Sequence, residues 1–276
     1  MPTTLTEETI TTLDKYTRYV ESLRQSDDRP RWFRGSGRYS YALSPSLFRH
    51  PSITDTDELI NLEGKILERF RQRCIPYMSQ RMTENWEYLF LMQHFGVPTR
   101  LLDWTENPYM ALFFALTTAN LGVRHGVEKY LDNAAVWVLD PLHWNNKALS
   151  NYTYRGAIDI LTYNDDKLKA YTPLIELGAM KEEPVAMFGT HNSPRIVAQR
   201  GVFTIFGRNI ESMNSRYVTQ EYPQDCLIKL KIPANKIKDL LDSIIAIGIT
   251  DSVVFPDLDG LARETKRFFG YKVSYV

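Results

Sequence analysis

The most informative stretch of the chain is Gln93-His94-Phe95-Gly96-Val97-Pro98-Thr99-Arg100-Leu101-Leu102-Asp103-Trp104-Thr105. Apolar residues at helical spacing run into it from Glu84 to Phe95, and Gly96-Val97-Pro98 stops that helix. Thr99 to Trp104 then reads as a short extended piece. Thr105-Glu106-Asn107-Pro108 has the form of a helix start with proline in the first turn, followed by an apolar helix from Tyr109 to about Leu121. A glycine- and proline-punctuated passage between helices is where a rigid scaffold presents polar groups, so His94, Thr99, Arg100, Asp103, Trp104 and Thr105 are candidates for function. Each polar member also has a plain structural reading: His94 as a core histidine, Arg100 and Asp103 as an ion pair, Thr105 as a helix cap.

Outward from this passage, Thr6 with Glu7 and Glu8 predicts a helix start, continued by Leu13, Tyr16, Val20 and Leu23 and ending near Ser26-Asp27-Asp28. Arg31 to Gly35 predicts a short strand meeting a glycine turn, and Thr56 to Tyr77 a long helix. Ala134 to Leu139 reads as a buried strand, while residues 145–190 show only weak periodicity. Ile196 to Phe206 and Cys226 to Ile232 read as further strands, Asn235 to Ile245 and Leu258 to Phe269 as helices, and Tyr271 to Val276 as a last strand. Without an internal repeat or linker, the expectation is one α+β domain over residues 29–276 with an N-terminal helical elaboration at residues 1–28.

Basic and acidic residues balance at 33 each among 276, which excludes bulk electrostatic capture of nucleic acid or anionic membrane. With 43% hydrophobic and 12% aromatic residues the chain has the material for a sizeable core. Cys74 and Cys226 stand far apart with no metal-ligand spacing, so neither a disulfide scaffold nor a metal site is expected. No stretch has the layout of a secretory signal or the length of a membrane span, and a cytoplasmic location follows as the expectation. The neutral average hides one anomaly. Between Asp28 and Asp55 there is no acid, yet Arg29, Arg31, Arg34, Arg38 and Arg49 fall there. An arginine at a strand end beside Gly35 and Gly37 can offer a planar fork to phosphate while glycine lets the backbone approach, unless these arginines simply pair with acids elsewhere.

A third feature is Gln199, a single amide within Arg195-Ile196-Val197-Ala198-Gln199-Arg200-Gly201-Val202-Phe203, which must find partners if the strand is buried. Walker A, GxGxxG, HExxH, GxSxG and cysteine–histidine nucleophile patterns are all missing, which sets aside the corresponding nucleotide triphosphatase, zinc protease and hydrolase readings.

Taken together, Trp32-Phe33-Arg34-Gly35, Gln93-His94 through Thr105 with Asn107-Pro108 and Ala111-Leu112-Phe113-Phe114-Ala115, and Gln199 with Gly201-Val202-Phe203 resemble the FRG domain family. Gly248-Ile249 and Phe255 to Leu261 extend the likeness, so that it runs from about Pro30 to about Gly270. The layout is also similar to that of ADP-ribosyltransferases, which implies a central mixed or antiparallel sheet flanked by helices around a transferase-like core. The resemblance implies NAD as donor, and an effector such as a toxin or phage-defence protein that modifies protein or nucleic acid, with an antitoxin or chaperone as partner and no membrane. It assigns Arg34, His94, Asp103 and Gln199 to catalysis, and Arg34, Gly35, Thr99, Arg100, Trp104 and Thr105 to holding NAD. Gln199 stands where such enzymes carry a glutamate. An amide is no general base, so His94 or Asp103 would supply the missing function, or the protein would bind a nucleotide without transfer. An NAD glycohydrolase is the third reading. Alanine at Arg34, His94, Arg100 or Asp103 is expected to cost activity more than stability.

Overall fold

The computed structural model describes residues 3–78, 82–124, 126–152, 158–190 and 194–275. In chain order the elements are β1 (Thr6–Thr9), α1 (Leu13–Ser26), β2 (Trp32–Ser36), α2 (Thr56–Cys74), α3 (Asn85–His94), β3 (Leu101–Thr105) and α4 (Pro108–Thr117). They continue with β4 (Leu121–Arg124), β5 (Val127–Tyr130), β6 (Ala134–Leu139), α5 (Pro141–Ala148), β7 (Leu161–Thr162), β8 (Val185–Phe188), α6 (Pro194–Gln199) and β9 (Gly201–Ile205). The last are α7 (Met213–Thr219), β10 (Leu227–Ile232), α8 (Ile237–Ala246), α9 (Asp251–Val254) and α10 (Leu258–Phe268).

Eight strands form one mixed sheet in the order β1-β10-β6-β2-β3-β9-β8-β7, and β4 and β5 make a separate two-stranded ribbon. Helices flank the sheet, so the chain is α+β. The sheet has two buried faces, and the alternation of side chains distributes its residues between them. On β2, Trp32 joins one core with Trp104, Trp137 and Trp144, while Phe33 joins the other with α4, α8 and Tyr16. All six residues of β6 are buried, as a strand covered on both sides requires. The apolar helix α4 buries Ala111, Leu112, Phe113, Ala115 and Leu116 against β2, and Gly35 permits that approach: a Cβ there would lie 2.1 Å from the Ala111 carbonyl oxygen.

One irregularity positions the site. β2 pairs with β6 from Trp32 to Ser36, and β3 pairs with β9 from Leu101 to Thr105. Between β2 and β3, however, the only pair is Phe33 with Thr105. Continued antiparallel register would set Gly35 opposite Asp103; instead the strands diverge and open a cleft in the middle of the sheet.

Three expectations need correction. The helix does not begin at Thr6, because Thr6 to Thr9 pair with Ile228 to Lys231 and extend the sheet; Thr12 is the cap, its hydroxyl accepting from the Lys15 amide. Residues 1–28 therefore carry a strand as well as a helix, and Ile10 and Tyr16 lie fully buried in a sheet core. Ile196 to Phe206 is not one strand. Pro194 to Gln199 form α6, Arg200 turns through φ 46°, and β9 starts at Gly201, since a short apolar run has no period that separates helix from strand. The left-handed turn at Arg200 is held by two neighbours of β3: the Thr105 hydroxyl donates to the Gln199 carbonyl at 2.6 Å and the Glu106 amide to the Arg200 carbonyl at 3.1 Å. Tyr271 to Tyr275 form no strand, and Val276 lies outside the described residues. The weakly periodic region 145–190 contains β7, β8 and the end of α5, with residues 153–157 outside the described ones.

Candidate functional site

The diverging strands enclose a cavity of about 390 Å³. β2 contributes Arg34, Gly35 and Ser36, β3 contributes Asp103, Trp104 and Thr105, α3 contributes Gln93 and His94, and α6 contributes Arg195 and Gln199. Tyr41 and Arg49 close another side, and Phe33, Phe90 and Phe203 supply apolar wall. The three sequence features thus meet at one place although they lie up to 165 positions apart, from Arg34 to Gln199.

Arg34 bridges the gap that the sheet leaves open. Its Nη1 donates to the Asp103 carbonyl oxygen at 2.6 Å, taking the place of a strand hydrogen bond, and lies 3.9 Å from Asp103 Oδ2. Burial lowers the pKa of the guanidinium, the Asp103 carboxylate works in the opposite sense, and the Arg49 charge lowers it further. An arginine stays charged through any such shift. The Asp103 side chain is 56% exposed, and Oδ2 accepts from Gln93 Nε2 at 2.6 Å. His94 is held below its ordinary pKa, first by burial and then by the Arg195 charge, with Asp103 and Asp257 opposing, so it is mainly neutral at pH 7. Arg195 is lowered by burial, and its guanidinium sits 4.6 Å from the centre of the Phe255 ring.

The acid-free interval divides into two groups. Arg29 and Arg31 pair with Asp27 at 2.6 and 2.8 Å and also with Asp140, and Arg38 lies 3.5 Å from Asp132. Those three serve ordinary ion pairs, whereas Arg34 and Arg49 line the cavity. Arg49 and Arg195 form no ion pair among the described residues, and Asp103 is the one carboxylate among the lining residues, so the wall is locally cationic inside a neutral protein.

Several expected site residues stand elsewhere or have other work. Arg100 is fully buried and outside the cavity, its Nε 2.7 Å from Glu63 Oε2 and its Nη atoms donating to the carbonyls of Phe206 and Tyr171. It cannot hold NAD, and the supposed pair with Asp103 is a pair with Glu63. Thr99 is also fully buried and acts behind the wall. Gly35 does line the cavity, but the space a side chain would need is taken by the backbone of α4. Trp104 is nearly buried, with Nε1 donating to Thr204 Oγ1 at 3.1 Å. The Thr105 hydroxyl donates to the Gln199 carbonyl and accepts from the Asn107 amide, and the cap of α4 is Asn107. Gln199 lies on a helix, not a strand, and its Nε2 donates to the Val254 carbonyl at 3.0 Å.

Sequence reasoning gives Gln93 and Arg195 no role in the site, and Arg49 only a place among the five arginines of the acid-free interval. Arg195 and Gln199 are four residues apart and share a helix face, a relation visible only once Pro194 is taken as a helix start.

Residues 29–122 match the family model of the FRG domain, which supports the FRG family for this chain. The match contains Arg34 and the whole Gln93 to Thr105 passage. No curated protein and no solved structure matches the chain. Among the described residues there is no cluster of metal-ligating side chains, and no helix is long and apolar enough to cross a membrane.

Proposed function

We propose that this protein is an NAD-dependent ADP-ribosyltransferase whose donor site is the cleft between β2 and β3. The observation that carries this reading is the make-up of the cavity: Arg34, Arg49 and Arg195 line it together with one partly exposed carboxylate, Asp103. Guanidinium groups suit a diphosphate, and the phenylalanine wall suits a nicotinamide ring. A cavity of about 390 Å³ is at the lower end of the ~300–1,000 Å³ typical of ligand pockets, which fits the nicotinamide-ribose half of a dinucleotide with the adenosine toward the mouth.

In this reading NAD supplies an activated glycosidic bond whose electron pair leaves with nicotinamide. Asp103 takes the part of the absent glutamate. Its carboxylate stabilises positive charge developing on the ribose and receives the proton of the attacking acceptor. Gln199 Oε1, which has no hydrogen bond among the described residues, accepts from a ribose hydroxyl. Neutral His94 is a further proton carrier on the same wall.

The half-exposed Asp103 side chain favours a second reading, because water could serve as acceptor and make the protein an NAD glycohydrolase. NAD labelled in the adenosine moiety separates the two. The transferase releases nicotinamide and labels protein or nucleic acid; the glycohydrolase releases nicotinamide and free ADP-ribose. Asp103→Asn is expected to slow nicotinamide release by about 100-fold or more. Folded wild-type protein that releases no nicotinamide, with or without cell extract, overturns both.

A further inference from the structure

We infer that Thr99 and Gln93 form a relay that orients the Asp103 carboxylate toward the cavity, a role that rests on the transferase reading above. Thr99 Oγ1 already accepts from the Leu101 amide at 3.1 Å, and its single proton goes to Gln93 Oε1 at 2.6 Å. That contact assigns the amide: the oxygen of Gln93 faces Thr99, so its NH₂ group faces Asp103, where Nε2 donates to Oδ2 at 2.6 Å. One carboxylate oxygen is thereby held from behind. The other, Oδ1, has no hydrogen bond among the described residues and is left for a ligand.

The buried end of the relay is rigid. Thr99 is fully buried, it follows the stop at Gly96-Val97-Pro98, and its carbonyl accepts from the Leu47 amide at 3.2 Å. Gln93 sits in the last turn of α3. The charged and titratable groups facing Asp103 come from three elements: Arg34 on β2, His94 on α3 and Arg195 on α6. Arg34 Nη1 lies 3.9 Å from Oδ2, beyond hydrogen-bond distance, whereas Gln93 Nε2 donates to it at 2.6 Å, so Gln93 is the group that fixes the carboxylate's orientation.

Removing the Thr99 hydroxyl without changing side-chain volume frees the Gln93 amide to turn. Thr99→Val is the test and Thr99→Ser, which keeps the hydroxyl, its control. For turnover, Thr99→Val is expected to lower kcat for nicotinamide release about tenfold with KM for NAD within about twofold, and Thr99→Ser to restore most of the rate. A merely structural loss would move KM and kcat together or would not be rescued by serine.

A second measurement reads the relay without catalysis. In protein labelled with ¹⁵N-glutamine, the Gln93 side-chain amide protons that face a carboxylate are expected at a distinct downfield position, which Thr99→Val and Asp103→Asn abolish and Thr99→Ser keeps. Unchanged Gln93 amide signals in Thr99→Val overturn the relay even if the enzyme is active. If the amide signals behave as expected but wild-type protein releases no nicotinamide, the transferase reading fails and the orientation of Asp103 stands.

Discussion

Arg34 and Arg100, from two separate motifs, show how the same residue type takes different work. Both are strongly positioned by hydrogen bonds, but Arg34 spans an open cleft and Arg100 is sealed between Glu63, Phe206 and Tyr171. Arg34→Ala is therefore expected to weaken NAD binding at least about tenfold, since a charge-assisted contact to phosphate is worth roughly 1.5–3 kcal/mol, while the thermal midpoint changes little. Arg100→Ala leaves the buried Glu63 without its counter-charge and is expected to destabilise the fold by about 3–5 kcal/mol. Calorimetric titration with NAD and thermal unfolding of the two variants check this pair of outcomes. Near-equal losses of stability would remove the distinction. The sequence could place His94, Asp103 and Gln199 on one list with Arg100, because a spacing of three does not say whether two side chains share a face of a twisted strand. What decided the matter was Glu63, 37 positions earlier on α2 and invisible to local patterning.

At the scale of elements, the approach of α4 to β2 is the contact on which the cleft depends. Gly35 lies where a Cβ would meet the Ala111 carbonyl at 2.1 Å and the Ala115 amide nitrogen at 2.5 Å, and both are backbone atoms that cannot turn away. Gly35→Ala is expected to cost about 1–3 kcal/mol in denaturant unfolding, and to impair NAD binding through displacement of Arg34. A variant as stable as wild type would show that α4 and β2 have more freedom than this packing allows. The glycine was legible as a place of close approach; what approaches it, a helix in place of a phosphate, was not. Long helices such as α2 and α10 followed directly from apolar spacing, and strands such as β6 and β10 from short apolar runs. α6 and β1 did not. Each is six residues or fewer, and its state is set by partners far away in sequence: β10 for β1, and α9 with β3 for α6.

For the whole molecule, the zero net charge and the cationic cavity are compatible because the sheet sorts the arginines. Arg29, Arg31 and Arg38 meet Asp27, Asp140 and Asp132, and Arg34 and Arg49, which line the cavity, meet no acid there but Asp103. A net charge of zero gives no long-range pull on nucleic acid, so in the proposed transferase an acceptor is expected to be selected by contact at the mouth of the cleft. In the proposed function the gap between β2 and β3 is a dinucleotide site centred on Asp103. A crystal structure of Asp103→Asn with NAD tests this most directly, since the variant is expected to slow turnover while keeping the shape of the site. The diphosphate is expected among Arg34, Arg49 and Arg195, and the nicotinamide ribose within hydrogen-bond distance of residue 103. NAD bound at another surface, or a cleft without NAD at saturating concentration, would contradict it.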